Sequence, residues 1–334
     1  MDFFAGQSGV GGLAPAFHEW SASQAVRYGN EVALLVGCIE LDVDRRLACL
    51  RNVNAFTLSL VEFEDGVISQ PVVDGTFSDN PFLPTQPEIA FKEGSFATEV
   101  DVLLGANLNE GLLFTQLVWG LPTILELFTE NWKTWGPILI LQKKYLEITE
   151  EDIAMADEIL EYYCGSKNIS MENIDQMTNM FTDAFFWYGV DKYIDFHIQH
   201  SSGSLFQYMN KHINDYAQVK LVYHRLGRFF TLNPKMIWMT GVYELPGVSH
   251  ADEIFLEFFG SSGLSFEDTT VSKHLTSMWS NFVKLGDPTP PGGGFLWEPI
   301  SQDRRDYLVL DTALEMDRSG DYRERMDFWR RIMP

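Results

Sequence analysis

Two hydrophobic periods run along this chain, one helical and one extended, and they alternate. From Ala22 to Gly37 (ASQAVRYGNEVALLVG) apolar side chains recur at helical spacing. The run from Asp42 to Phe63 (DVDRRLACLRNVNAFTLSLVEF) begins with acidic residues that suit a helix N-terminus. PVVDGTF at Pro71–Phe77 reads as an extended segment turned by Asp74 and Gly75, and a proline-punctuated loop follows to Pro87. After a short helix near Glu88–Glu93, VDVLLGANLNEG at Val100–Gly111 is an apolar strand ending in a polar loop, and Glu110 lies on that loop.

The middle of the chain is aromatic and acidic helical material, in three runs at Leu121–Gly136, Ile148–Gly165 and Ser170–His200. GSLFQYMNKH at Gly203–His212 predicts another strand. Beyond it lie a helix at Val271–Gly286, the loop DPTPPGGGF with WEPI, a short strand YLVLD at Tyr307–Asp311 and a closing amphipathic helix at Arg323–Met333. Strands alternating with helices make this an α/β chain. No internal repeat, metal-ligand cluster or phosphate-cradling glycine loop interrupts the pattern.

One junction carries more than structure. The stretch PGVSHADEIFLEFFG, Pro246–Gly260, places His250 just after a Pro-Gly turn and just before an acidic and apolar run that reads as a helix start. The other histidines, His18, His197, His200, His212, His224 and His274, stand at no comparable boundary. A histidine on such a loop is free to exchange protons.

Composition narrows the partners. At 334 residues and 46% hydrophobic the chain can bury a large core, and a formal charge of −23 disfavours nucleic acid or an anionic membrane surface. A neutral or cationic small molecule is the easier guest. The longest apolar run found, Val32–Ile39, is too short to span a bilayer, and MDFFAGQSGVGG has neither the positive leader nor the apolar middle of a secretory signal. Cys38 and Cys49 flank a ten-residue segment whose length suits a small covalent loop, and two unpaired buried thiols suit it equally well. Cys164 has no obvious mate. Asn168-Ile169-Ser170 is a glycosylation sequon, informative only in a secreted protein.

A serine nucleophile on a strand-to-helix elbow needs glycines two before and two after it, because the turn has no room for a side chain. Ser8 has Gly6 but Val10, GSSGL at Gly260–Leu264 fails in the same way, and no Gly-x-Ser-x-Gly occurs in the 334 residues. Glu110 followed by His250 nevertheless stands in the order of the last two members of an α/β-hydrolase triad. In such a pair the carboxylate fixes the imidazole tautomer and stabilises the imidazolium formed when it accepts a serine proton.

Blocks along nearly the whole length resemble the type-B carboxylesterase and cholinesterase family. They are GQSGVGGLAP at Gly6–Pro15, the Cys38…Cys49-Leu50-Arg51 pair, PVVDGTF, LLGANLNEG at Leu103–Gly111, GVSHADEI at Gly247–Ile254, MWSNFVKLGDPTPPG at Met278–Gly292 and the closing RMDFW. The resemblance implies a partial α/β-hydrolase domain over residues 1–334, the C-terminal part of the mixed sheet with flanking helices. Glu110 then matches the triad acid, His250 the triad base, and Cys38 with Cys49 a family disulfide, which implies the secretory pathway. No cofactor and no metal are implied, and the substrate class is a small carboxylic ester.

The resemblance also implies that the family's serine elbow and oxyanion glycines lie upstream of the first matching block. The expectations are therefore an esterase-family chain carrying two triad members and no nucleophile, inactive alone, with an uncovered sheet edge. A non-catalytic, esterase-like adhesion or binding module is the alternative. Trp119, Trp132, Trp135, Phe185, Phe186 and Trp187 are candidates for an aromatic pocket wall, with core packing the competing reading for each.

Overall fold

A computed structural model describes residues 3–7, 22–65, 71–119, 122–141, 143, 147–214, 247–258, 264–289, 292, 294–318 and 321–333. Ser8 and most of GSSGL lie outside the described residues. The chain divides into two compact units, Phe17–Glu93 and a larger one comprising Met1–Ala16 with Gly94–Pro334.

In the smaller unit the apolar periodicity forms helices Ala22–Leu35, Val43–Asn52, Ala55–Asp65 and Pro87–Lys92. The run from Asp42 to Phe63 is thus two helices. Val53 turns extended, and the Asn54 side chain accepts the Phe56 N–H at 2.8 Å, which stops one helix and starts the next. Asp42 caps the earlier one by accepting from Arg45 N at 2.9 Å. Cys38, 1% exposed, is disulfide-bonded to Cys49 with their Cα atoms 5.7 Å apart, so the covalent alternative holds. PVVDGTF forms a turn more than a strand: Asp74 accepts from the backbone N–H groups of Phe82 and Leu83 at 3.0 and 2.8 Å, folding the segment back on itself.

The larger unit is built on a five-stranded sheet in the order β1 (Phe3–Gln7), β2 (Asp101–Asn107), β3 (Leu205–Asn210), β4 (Tyr307–Leu310) and β5 (Glu315–Asp317). The first four are parallel and β5 pairs antiparallel with β4. The hydrophobic pattern left β1 and the three-residue β5 without a strand reading, since so short a strand repeats its period barely once. Parallel neighbours require crossover connections, and the helical runs between the strands provide them.

Every residue of β3 and β4, and all but the first of β2, is buried, as a sheet covered on both faces requires. On one face Leu103, Phe206, Tyr208, Leu308 and Leu310 meet Leu256, Val271, Leu275, Met278, Phe282 and Trp297. Four of these come from helix Phe266–Leu285, which starts five residues before the apolar run at Val271, because Ser265 accepts from Asp268 N and caps it there. Gly105 in β2 is where Tyr208 of β3 lies closest: a Cβ there would stand 2.3 Å from the tyrosine ring.

The long run Ser170–His200 is not one regular helix. Helix Ile174–Thr182 passes into a π-helical turn, Asp183–Trp187, before helix Tyr188–His200 continues. Buried Asp183 accepts from Arg325 Nε and Nη2 at 2.7 and 3.1 Å, tying this turn to helix Asp321–Ile332. A π-turn rotates the following side chains by a fraction of a turn, and such insertions concentrate at functional sites.

The disulfide closes a loop of about a dozen residues, which restricts the unfolded chain by about 3 kcal/mol. Cys49→Ser is expected to destabilise the Phe17–Glu93 unit by about that amount, read as a lower urea midpoint in hydrogen exchange of its helices, with no difference between the variant and a wild type that is first reduced.

Candidate active site

The site forms where β2 and β3 end, at the carboxyl edge of the parallel strands, the position at which open α/β sheets place ligands. Beyond Asn107 the chain turns at once, because the Asn107 N–H donates to Glu110 Oε1 at 2.8 Å and draws the acid side chain back under the strand end. Glu110 is 2% exposed. The following Gly111 donates its N–H to Thr182 Oγ1 at 2.9 Å, and a Cβ on it would sit 2.3 Å from the Thr178 carbonyl oxygen. Only glycine lets helix Ile174–Thr182 approach this closely.

The second loop docks on the first. Asn109 N donates to the Val248 carbonyl at 3.0 Å, and Val248 N donates to Asn109 Oδ1 at 3.2 Å. Ser249 N donates to Asp252 Oδ2 at 2.8 Å, closing a tight turn that leads into helix Glu253–Phe258. Inside that turn Ala251 has φ +66°, a left-handed conformation that costs a non-glycine residue about 1–2 kcal/mol. The strain stands immediately beside His250.

The result is one hydrogen bond: His250 Nδ1 lies 2.8 Å from Glu110 Oε2. Opposite a carboxylate acceptor, Nδ1 carries the ring proton and Nε2 is the nitrogen left to accept one. The His250 side chain is 40% exposed, and its partner is 2% exposed, so the imidazole bridges a buried charge and solvent. Phe186, delivered by the π-turn, covers the ring with centroids 5.0 Å apart and planes tilted by 33°.

The hydrogen bond from His250 to Glu110 raises the histidine pKa, against burial, which lowers it. A histidine raised on folding adds stability that is complete below its ordinary value, about 6.5, and is lost as pH rises through the elevated one. Glu253 lies beneath the same cluster, 3% exposed, where burial first and the Glu110 charge second push its carboxyl up to about 8. It therefore carries its proton at neutral pH and adds no second negative charge beside Glu110.

Among the described residues no group of three or more His, Cys, Asp or Glu side chains is placed to hold a metal ion, and no helix is long and apolar enough to cross a membrane. A model of the carboxylesterase family matches residues 9–329. The chain belongs to the carboxylesterase family. It is 25% identical to acylcarnitine hydrolase of Rattus norvegicus over 98% of this chain and 52% of that protein. It is 22% identical to esterase P of Drosophila melanogaster over 92% of this chain and 56% of the relative, and 25% identical to esterase FE4 of Myzus persicae over 93% and 53%. The chain thus spans about half the length of the curated relatives it matches. The family's α/β-hydrolase fold accounts for the mixed sheet and its flanking helices.

Within this carboxylesterase-family chain the two acid–base candidates, 140 residues apart, stand in contact. Asn168 is exposed, and Cys164 is half-buried and free, its thiol pushed up to about 11 by burial. Of the aromatic candidates, Phe186 reaches His250 and the Trp187 indole N–H donates to the Asn107 carbonyl at 3.3 Å. Trp132 packs against Phe128 and donates to Asp157, so it belongs to the helical core. Sequence reasoning missed Asn107, Thr182 and Glu253. The signal for Asn107 is an amide at the buried end of an apolar strand, and for Glu253 an acid one helical turn past the histidine.

Ala251→Gly is expected to stabilise the protein by about 1 kcal/mol, seen as a higher urea midpoint with an unchanged slope. For Glu253, a carboxyl raised on folding subtracts stability as pH climbs from the unfolded value toward about 8. Glu253→Gln is expected to raise the urea midpoint at pH ~9 and to change it far less at pH ~5, where wild-type Glu253 is already neutral when folded.

Proposed function

We propose that Glu110 and His250 are the acid and the base of a serine-type carboxylic ester hydrolase site. The observation that supports it is the 2.8 Å contact between a buried carboxylate and the Nδ1 of a part-exposed imidazole. In this reading His250 Nε2 takes the proton of an attacking serine hydroxyl and returns it to the leaving alcohol, while Glu110 holds the tautomer and offsets the imidazolium charge. The names of the relatives, a hydrolase and several esterases, agree with an ester substrate.

The nucleophile and the oxyanion donors are assigned outside these residues. The 334 residues contain no Gly-x-Ser-x-Gly, and the serine adjacent to His250, Ser249, is 1% exposed, which keeps its hydroxyl from an acyl carbon arriving from solvent. The Cys38–Cys49 disulfide and the exposed Asn168 fit a protein of the secretory pathway, where thiols oxidise and sequons are read. A binding module has no chemical need for a buried carboxylate set against a part-exposed imidazole, which separates this pair from the His212–Asp268 contact, buried on both sides.

The 334-residue chain is expected to give no serine-dependent turnover of a nitrophenyl ester and no serine labelling by a fluorophosphonate. Turnover abolished by labelling at a serine of this chain would overturn the assignment of the nucleophile.

A further inference from the structure

The residue with the most complete set of partners around the site is Asn107, which is 0% exposed. Its N–H donates to Glu110 Oε1 at 2.8 Å and its carbonyl accepts from Trp187 Nε1 at 3.3 Å. The side chain is used as fully. Nδ2 donates to the Ser249 carbonyl at 2.8 Å and to Glu253 Oε2, and Oδ1 accepts from Asn210 Nδ2 at 2.7 Å. Turning the amide over would set two N–H groups against each other at Asn210 and an oxygen against the Ser249 carbonyl, so the network fixes its orientation.

This one residue therefore joins both halves of the acid–base pair. Through its backbone it holds Glu110. Through its carboxamide it holds the peptide carbonyl directly preceding His250, and the first residue of the helix that follows. We propose that Asn107 is the positioning residue of the pair, setting the distance and angle at which the His250 ring meets Glu110; this rests on the reading of the two as acid and base.

A carboxamide is the group this position needs. An aspartate of the same shape keeps the backbone contact but supplies no donor to Ser249 or Glu253, and it sets a second carboxylate beside Glu110. A serine is too short to reach both loops at once. The groups that face His250 electrostatically are Glu110, Glu253 and Asp252; both substitutions keep all three side chains, and both remove the Asn107 hydrogen bond that lowers the Glu253 pKa.

The test follows the His250 imidazole by NMR titration of the 334-residue chain with ¹³C-labelled histidine, assigned by His250→Gln. Glu110→Gln is expected to lower the His250 midpoint by about one pH unit; no movement defeats the acid–base reading itself, independently of Asn107. The same Glu110→Gln step is then made in Asn107→Asp. Asn107→Ser, which adds no charge, is carried through the same cycle, and a fall confined to the aspartate variant marks repulsion between the added carboxylate and Glu110 and overturns the proposal. If Asn107 positions the pair, the Glu110-dependent shift falls to less than about half its wild-type size, and an undiminished shift in a folded Asn107→Asp protein overturns the proposal. Asn107→Ser alone decides if the aspartate variant does not fold. If neither folds, the wild type decides. Its Asn107 carboxamide resonances are expected to move with the His250 midpoint, and resonances that stay fixed through it overturn the proposal.

Discussion

The carboxylate of Glu110 is buried, and a buried charge is tolerable only when each of its oxygens is answered. One oxygen takes the Asn107 backbone N–H and the other faces His250 Nδ1, both at 2.8 Å. That pair of bonds sets conditions on the surrounding chain. The strand has to end at Asn107, the turn has to close within three residues, and the residue after the acid has to be glycine so that helix Ile174–Thr182 can seal the site from below.

The loop that brings His250 to this charge is held at some expense. Ala251 occupies a left-handed backbone conformation, and Glu253 is buried deeply enough to keep its proton near neutrality. Both features work against stability, and both sit within three residues of the histidine. Strain and perturbed ionisation at one place are the pattern expected where a structure is organised for chemistry. In another buried carboxylate cluster, Asp183 is answered by Arg325 from helix Asp321–Ile332, a pairing that anchors helices and involves no imidazole.

The chain belongs to the carboxylesterase family and spans about half the length of the curated relatives it matches. The Glu110 loop and the His250 loop both project from the carboxyl edge of its sheet. Aromatic residues from the π-turn complete the wall behind the imidazole: Phe186 covers the ring, and Trp187 holds the strand end by its indole N–H.

The alternation of strand and helix, the acid loop after Leu103–Asn107 and the histidine at the Pro-Gly junction were all legible in the residues, because each is a local pattern of period, turn chemistry and chain order. The cystine was legible through the resemblance alone, since its spacing is compatible with paired and unpaired thiols alike. The π-turn at Asp183–Trp187 leaves no period of its own, and β5 is too short to have one, so neither could be read. The pairing of Glu110 with His250 was implied by the resemblance, whereas the geometry of their contact, the raised Glu253 beneath them and the hydrogen bonds of Asn107 came only from the tertiary structure. They depend on which chain segments share the carboxyl edge of one sheet, and on how far burial raises the cost of charge there. No local pattern of side chains encodes either quantity.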